Sequence, residues 1–362
     1  MIGSQLKRWG IALLAAGVSL PGGCAAQSLV PGAKPIPRTQ AIPLPGDQIS
    51  FQRNEKEIAR YYFSPTFRRP FIYPVIGPAG RTLTRMGHPG DPYTHSHHNS
   101  IWISHSNVNG VDFFSDHNQR NPGRIIWDRT ESLEDGQDRA SAITVANWTA
   151  QDGRVLLRET RQVLVTLLPK DEWMLIVDLA LKAENEDVTF GGGGAFGLFS
   201  VRVAKQLAAY FGGGRIRNSE GAEGEPAIFR KPARWVDYSG MVAAGVPEGL
   251  TLFDHPMNPN HPSRFHVRED GWMSALLAKD KPVMVPKGQT LRLRYGVYVH
   301  AGVSSAQQLN QHFSQFVETP MKPAYGPPKT ERDCLHGQHR WFTIPRTFSS
   351  TQDCWEYIRT GK

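Results

Sequence analysis

Strict two-residue alternation constrains this chain more than any other feature. Leu291, Leu293, Tyr295, Val297 and Val299 fall on one side of an extended segment, with Arg292 and Arg294 on the other. Leu175, Val177, Leu179 and Leu181 alternate in the same way with Ile176, Asp178, Ala180 and Lys182, and the stretch from Val155 to Val165 is rich in β-branched residues. Two is the side-chain period of a strand, so each segment reads as a half-buried antiparallel strand. Glycine (35) and proline (27) are abundant enough in the 362 residues to supply many turns. Asn109-Gly110, inside Ile101 to Asp116, predicts a hairpin with a two-residue type I′ turn. That register sets Val108 against Val111, Asn107 against Asp112 and His105 against Phe114. Asn107 and Asp112 then form either a polar site at a sheet rim or a pair that stabilises the turn. The clearest helix signal is Ser304-Ser305 before AQQLNQHFSQFVE, with Leu309, Phe313 and Phe316 on one face. The glycine run 191–194 lacks the Lys-Ser/Thr of a phosphate loop and reads as a flexible loop or bulged strand. The fold class expected is all-β, a large antiparallel β-sandwich over residues 50–318 with few short helices.

The N-terminus has a different character. Lys7 and Arg8 precede an apolar run from Trp9 to Leu20, the pattern of an export signal over residues 1–26. Pro21-Gly22-Gly23-Cys24 resembles a lipobox, which would make Cys24 a lipidation site; cleavage near Ala26 is the other reading. Pro31, Pro35, Pro37, Pro43 and Pro45 predict an extended tether or a disordered N-terminal segment over residues 27–49. Beyond the N-terminus no apolar run is long enough to span a bilayer, which excludes a polytopic membrane protein. The location expected is the periplasm or, through a lipid anchor, the outer membrane of a bacterium. Without Lys7 and Arg8 the formal charge falls from +8 to +6, and the remaining basic residues form no stripe, which argues against nucleic acid as a partner. Of three cysteines, Cys334 and Cys354 are left for a disulfide that would close the C-terminal extension, residues 319–362.

Chemistry concentrates in two loops. Six of thirteen histidines fall between His88 and His117, within GHPGDPYTHSHHNS and just after it. In extended chain His95 and His97 share a face and His98 points the other way. With Asn99, His105 and Asp112 they form one candidate constellation, and His95 with His97 could ligate a divalent metal ion. The second loop runs from Asp254 to Arg264 and displays Asp254, His255, Asn258, His261 and Arg264 between three prolines. It reads as a binding or catalytic loop, or as an ordered loop whose Asp and Asn satisfy local backbone. Glu159 and Arg161 lie two apart on a strand, as a catalytic acid with its orienting cation or as an ordinary surface pair. Trp235, Tyr238 and Trp272 could stack on sugar rings, although core packing accounts for most tryptophans.

The blocks HSHHNSIWISHSNVNGVDFF, FGLFSVRVA, WVDYSG and DHPMNPNHPSRFHVR resemble the bacterial secreted family of unknown function labelled PmoA-like, over roughly residues 55–318. That label points to a membrane-embedded methane monooxygenase subunit, which a chain with no spanning segment cannot be. The resemblance implies a sandwich of the galactose-mutarotase type in glycan-degrading bacteria, and it supplies no catalytic residues. The expectation is therefore an exported carbohydrate-active protein, a glycan hydrolase or lyase, with the two loops converging. His97 and His255 would be acid and base, Asp254 or Glu159 their partner, and Arg264 would hold a sugar hydroxyl or carboxylate. Elimination gains from the arginines because a uronate needs its carboxylate neutralised. His95, His98, Asn99, His105, Asp112, Arg161, Asn258, His261 and Trp235 would bind substrate. A non-catalytic glycan-binding surface protein, and a metal protein using His95, His97 and a distal His255 or His261, are the alternatives.

Overall fold

The computed structural model describes residues 35–87, 95–116, 120–192, 196–320, 343–344, 346–347 and 350–360. The chain divides into two units, Met1–Ile36 and Pro37–Lys362, and the sandwich lies in the second. The leader expected over residues 1–26, Cys24, Cys334 and Gly193–Gly194 of the glycine run lie outside the described residues.

Two antiparallel sheets form an all-β sandwich. Sheet I has nine strands in the order Thr39–Leu44, Gln48–Arg53, Lys56–Tyr62, Phe71–Val75, Ile101–Ile103, Leu198–Arg202, Trp272–Leu276, Arg264–Arg268 and Lys231–Pro232. Sheet II has eight, in the order Arg215–Asn218, Trp235–Ala243, Val246–Asp254, Thr290–Ala301, Trp173–Lys182, Val155–Leu167, Arg139–Ala150 and Gly123–Glu134. The alternation read from the sequence sorts the faces. Leu293, Tyr295, Val297 and Val299 join Leu175, Val177, Leu179 and Leu181 in the core from sheet II. Ile101, Ile103, Phe199, Val201, Phe265, Val267, Met273 and Ala275 meet them from sheet I. Each fully buried Val, Leu, Ile, Phe or Met among them contributes about 1.5–3 kcal/mol of hydrophobic stabilisation.

Opposite residues of the same strands face outward, and the two outer faces are finished differently. On sheet II, Leu164, Met174, Ile176, Trp235, Phe253 and Tyr298 are covered by Leu309, Phe313 and Phe316 of the helix Ala306–Glu318. Ser305 caps that helix in a capping box with Gln308, as its position before an apolar period requires. On sheet I, Phe71, Trp102, Phe114 and Trp272 form a separate aromatic layer.

Two segments depart from expectation. The tether predicted over 27–49 stops short: Thr39–Leu44 is the edge strand of sheet I, with Ala41 and Ile49 buried. Pro43 is tolerated there because an edge strand leaves one side without ladder partners. Thr39 also exchanges backbone hydrogen bonds with Gly136, which ties this edge to the outermost hairpin of sheet II. The hairpin Ile101 to Asp116 survives only at its tip. Val108 pairs with Val111, and Asn109 and Gly110 have φ of 48° and 79°, the two left-handed residues of a type I′ turn. The strand itself ends at Ile103, and His105 bonds Phe113 rather than standing opposite Phe114. In the C-terminal extension Cys354 is buried and disulfide-bonded, within the helix Thr351–Thr360.

Candidate functional site

The two sequence loops do not converge. His255 lies half-buried on the outer face of sheet II, 5.3 Å from the Phe316 ring. His97 and His98 lie on the outer face of sheet I, His98 stacked 5.1 Å from Trp102. The whole core separates them, so His97 and His255 are not an acid–base pair. Asp254 is fully buried and organises its own loop: it accepts from Asn258 Nδ2 (2.8 Å), His261 Nδ1 (2.8 Å) and the Ser263 amide (2.8 Å). Asn258 in turn exchanges hydrogen bonds with the Arg294 backbone, at 2.8 Å each way. Arg264 pairs with Asp280 and donates to the Arg230 carbonyl. These residues build an ordered loop, because a proline-rich segment has few backbone partners and its Asp and Asn supply them.

Glu159 and Arg161 are not a surface pair, and neither reaches the cleft described below. Both point into the core, where Glu159 accepts from Arg161 Nε (2.6 Å) and Trp148 Nε1 (2.8 Å). Trp235 is no platform, since it lies under the helix with its indole N–H on Asn310 (2.9 Å). His105 and Asp112 belong to the turn: His105 Nδ1 engages the Asn107 backbone, and Asp112 accepts from the Phe114 and Ser115 amides. A further chain, Ser304 Oγ to His300 Nδ1 (3.2 Å) and His300 Nε2 to Asp237 Oδ1 (2.9 Å), has the order of a nucleophile, base and acid. All three side chains are buried, so it anchors the helix start to sheet II and offers no nucleophile to a substrate.

What remains of the histidine segment borders a cleft of about 570 Å³ on the outer face of sheet I. His95, Phe196, His266 and Trp272 line it. The short helix Ala209–Gly212 adds Tyr210 and Phe211, and Glu225, Arg268, Glu269 and Asp270 supply the charge. The floor arises from strand alternation. Phe265 and Val267 go inward, which turns His266 and Arg268 outward; Met273 goes inward, which turns Trp272 outward. The rings pack at a tilt, with the centroids of His266 4.0 Å and His98 4.7 Å from that of Trp272. Asp270 is clamped by both terminal nitrogens of the fully buried Arg202, at 2.8 and 3.0 Å. Burial alone would raise Asp270, but the Arg202 hydrogen bonds and charge hold it below the usual carboxylate range. Arg268 pairs with Glu225 (2.6 Å), which also accepts the Glu269 amide.

Arg69 fixes the histidine turn. Its buried guanidinium donates to the carbonyls of His97, Phe113 and Phe114, to Asn99 Oδ1 (2.7 Å) and to Asp116 Oδ1 (2.9 Å). Asn99 is thus part of the scaffold that holds this turn, and it is not among the residues lining the cleft described above.

Several buried polar atoms on this face show no hydrogen-bond partner among the described residues. They are both ring nitrogens of His98 and His266, the indole nitrogens of Trp102 and Trp272, and Arg202 Nε. A buried polar group left unmet costs about 1–3 kcal/mol, and the concentration of such groups beside one aromatic cleft makes it the candidate site. A cavity of similar size, about 620 Å³, is lined by Arg68, Arg124 and seven uncharged residues, without a carboxylate or imidazole. Among the described residues no group of three or more His, Cys, Asp and Glu is placed to hold a metal. The rings of His95 and His97 are 6.1 Å apart, and the distal His255 and His261 belong to the Asp254 loop, with His255 on the opposite outer face. The distal His255 and His261 therefore do not join His95 and His97 in one ligand set.

The buried imidazoles carry a pH prediction. Burial pulls His105 down to about 4 and His266 to about 3. Both are then uncharged in the folded state and protonated in the unfolded state below about 6.5, so unfolding takes up protons there. Stability should be full above about pH 6.5 and fall as pH drops towards 4, by up to ~1.4 kcal/mol per pH unit for each histidine. Urea midpoints across this range check it, and His266→Phe should remove one proton's share of the slope.

The family of unknown function DUF6807 matches residues 48–314. No curated protein matches the chain. The matched span runs from the second strand of sheet I into the covering helix of sheet II and includes the whole cleft, so the chain belongs to the DUF6807 family.

Proposed function

We propose that this is an exported carbohydrate-active protein that seats a sugar ring in the outer-face cleft of sheet I and acts on it by acid–base catalysis. The observation that carries the reading is the juxtaposition of aromatic rings, unmet ring nitrogens and carboxylates in one cleft. Trp272, Phe196 and Tyr210 offer faces for the C–H side of a pyranose, and Glu269 and Asp270 offer acceptors for its hydroxyls. His95, partly exposed in the lining, is the group suited to proton transfer, with Asp270 held as a carboxylate nearby. Hydrolysis is the reaction type this set supports best, and elimination, which needs a cation on a uronate carboxylate, is the alternative.

Glycan incubation of the full chain followed by mass spectrometry tests the reading. Products heavier by one water per cleavage identify a hydrolase, and unsaturated ends identify a lyase. Trp272→Ala is expected to lower glycan retention about tenfold or more, because it removes the stacking face; unchanged retention would remove this cleft from consideration. A second reading, a binder without catalysis, is favoured by one feature: Glu225, Arg268 and Asp270 are already committed to ion pairs. Retained glycan with no product would establish it.

A further inference from the structure

Resting on that reading, we propose that the cleft accepts sugars without a carboxylate and rejects uronates. The charge in the lining is predominantly acidic, Glu225, Glu269 and Asp270 against Arg268 alone. Neither arginine beside it is available to a ligand. Arg268 is on Glu225, and Arg202 holds Asp270 bidentately with its side chain fully buried. Glu269 has no cation within ion-pair distance among the described residues. Arg264, the sequence candidate for neutralising a sugar acid, is committed to Asp280 and is not part of the lining.

Two other cations come near but stand over the Phe211 ring. Lys205 Nζ is 4.8 Å from that ring centroid and the Arg85 guanidinium 5.9 Å. Arg85 donates to the carbonyls of Val203, Gly87 and Asp270, which fixes it in place. The two buried imidazoles, His98 and His266, add no positive charge either. Burial, reinforced by His97 and Arg202 at His98 and by Arg268 and Arg230 at His266, keeps both uncharged. A uronate carboxylate brought here would meet Glu269 and Asp270 with the neighbouring arginines already engaged, whereas sugar hydroxyls can donate to the same oxygens. The arrangement disfavours elimination from uronates and favours action on neutral or amino sugars.

The experiment is binding of the full chain to an array of neutral, amino-sugar and uronate glycans, read for wild type, Tyr210→Ala and Glu269→Lys. Tyr210 is 73% exposed, so its removal tests cleft dependence without threatening the fold. The expected result is Tyr210-dependent binding to neutral or amino glycans, with uronates at least about tenfold weaker and Glu269→Lys narrowing that gap. Tyr210-dependent binding to uronates as strong as to neutral glycans overturns the exclusion and leaves the sugar-cleft reading standing. Binding to no class, or binding indifferent to Tyr210, overturns the sugar-cleft reading and the exclusion with it.

Discussion

Glu159→Ala is expected to destabilise the protein by about 3–5 kcal/mol, because it leaves the Arg161 charge in the core without its partner. Both carboxylate oxygens are in use, one on the guanidinium and one on the Trp148 indole N–H, so the truncation also strands a neutral donor. Burial pulls the Arg161 guanidinium down, and Glu159 with Tyr61 more than offsets this, raising it above its ordinary value. The sign of a double replacement separates this from any other role. Glu159→Leu with Arg161→Leu should recover most of the loss, since paired removal leaves no uncompensated ion. Urea unfolding of the two single variants and the double variant supplies the cycle. On an identified glycan, Glu159→Gln should turn over at the wild-type rate per folded molecule; a large fall in rate with unchanged stability would restore a catalytic role.

Arg69→Ala should be of similar size, about 3 kcal/mol or more, and should also impair the cleft. The side chain is buried and donates five hydrogen bonds that join the 95–99 turn to the 113–116 segment. Without it the carbonyls of Phe113 and Phe114 lose their donor, and the turn carrying His95 loses its fixed position. Arg69→Lys should rescue little, because a single ammonium cannot reach acceptors spread around a planar fork. Stability from urea midpoints and glycan retention measured well below the unfolding transition report the two effects separately. Normal stability and retention in Arg69→Ala would show that the hub does not hold the turn.

The strands were legible because alternation reports burial directly: Leu293, Tyr295, Val297 and Val299 went where their period placed them. The capped helix was legible for the same reason, at its own period. The site was less so. His95 was found because histidines crowd one segment, and Trp272 was noticed as a stacking residue. His266, Arg268, Glu269 and Asp270 were missed, although they sit on a two-strand turn whose alternation puts Phe265, Val267 and Met273 inside. Arg202 was invisible in sequence, since its role depends on Asp270 sixty-eight positions later. The Asp254 loop misled because polar residues that close a proline-rich loop on itself look, as a string, like polar residues offered to a ligand.

The last long strand in the chain, Thr290–Ala301, lies in the interior of sheet II, between Val246–Asp254 and Trp173–Lys182. Those two neighbours are therefore held apart until nearly the whole domain has been synthesised. The contacts that seal the sandwich are long in sequence separation, which places it among slowly folding topologies. Until that strand inserts, two apolar strand edges face each other without a partner, and a chain cut before residue 290 would keep both edges open to other copies. Premature termination or proteolysis ahead of that strand should thus yield aggregates rather than a smaller folded product.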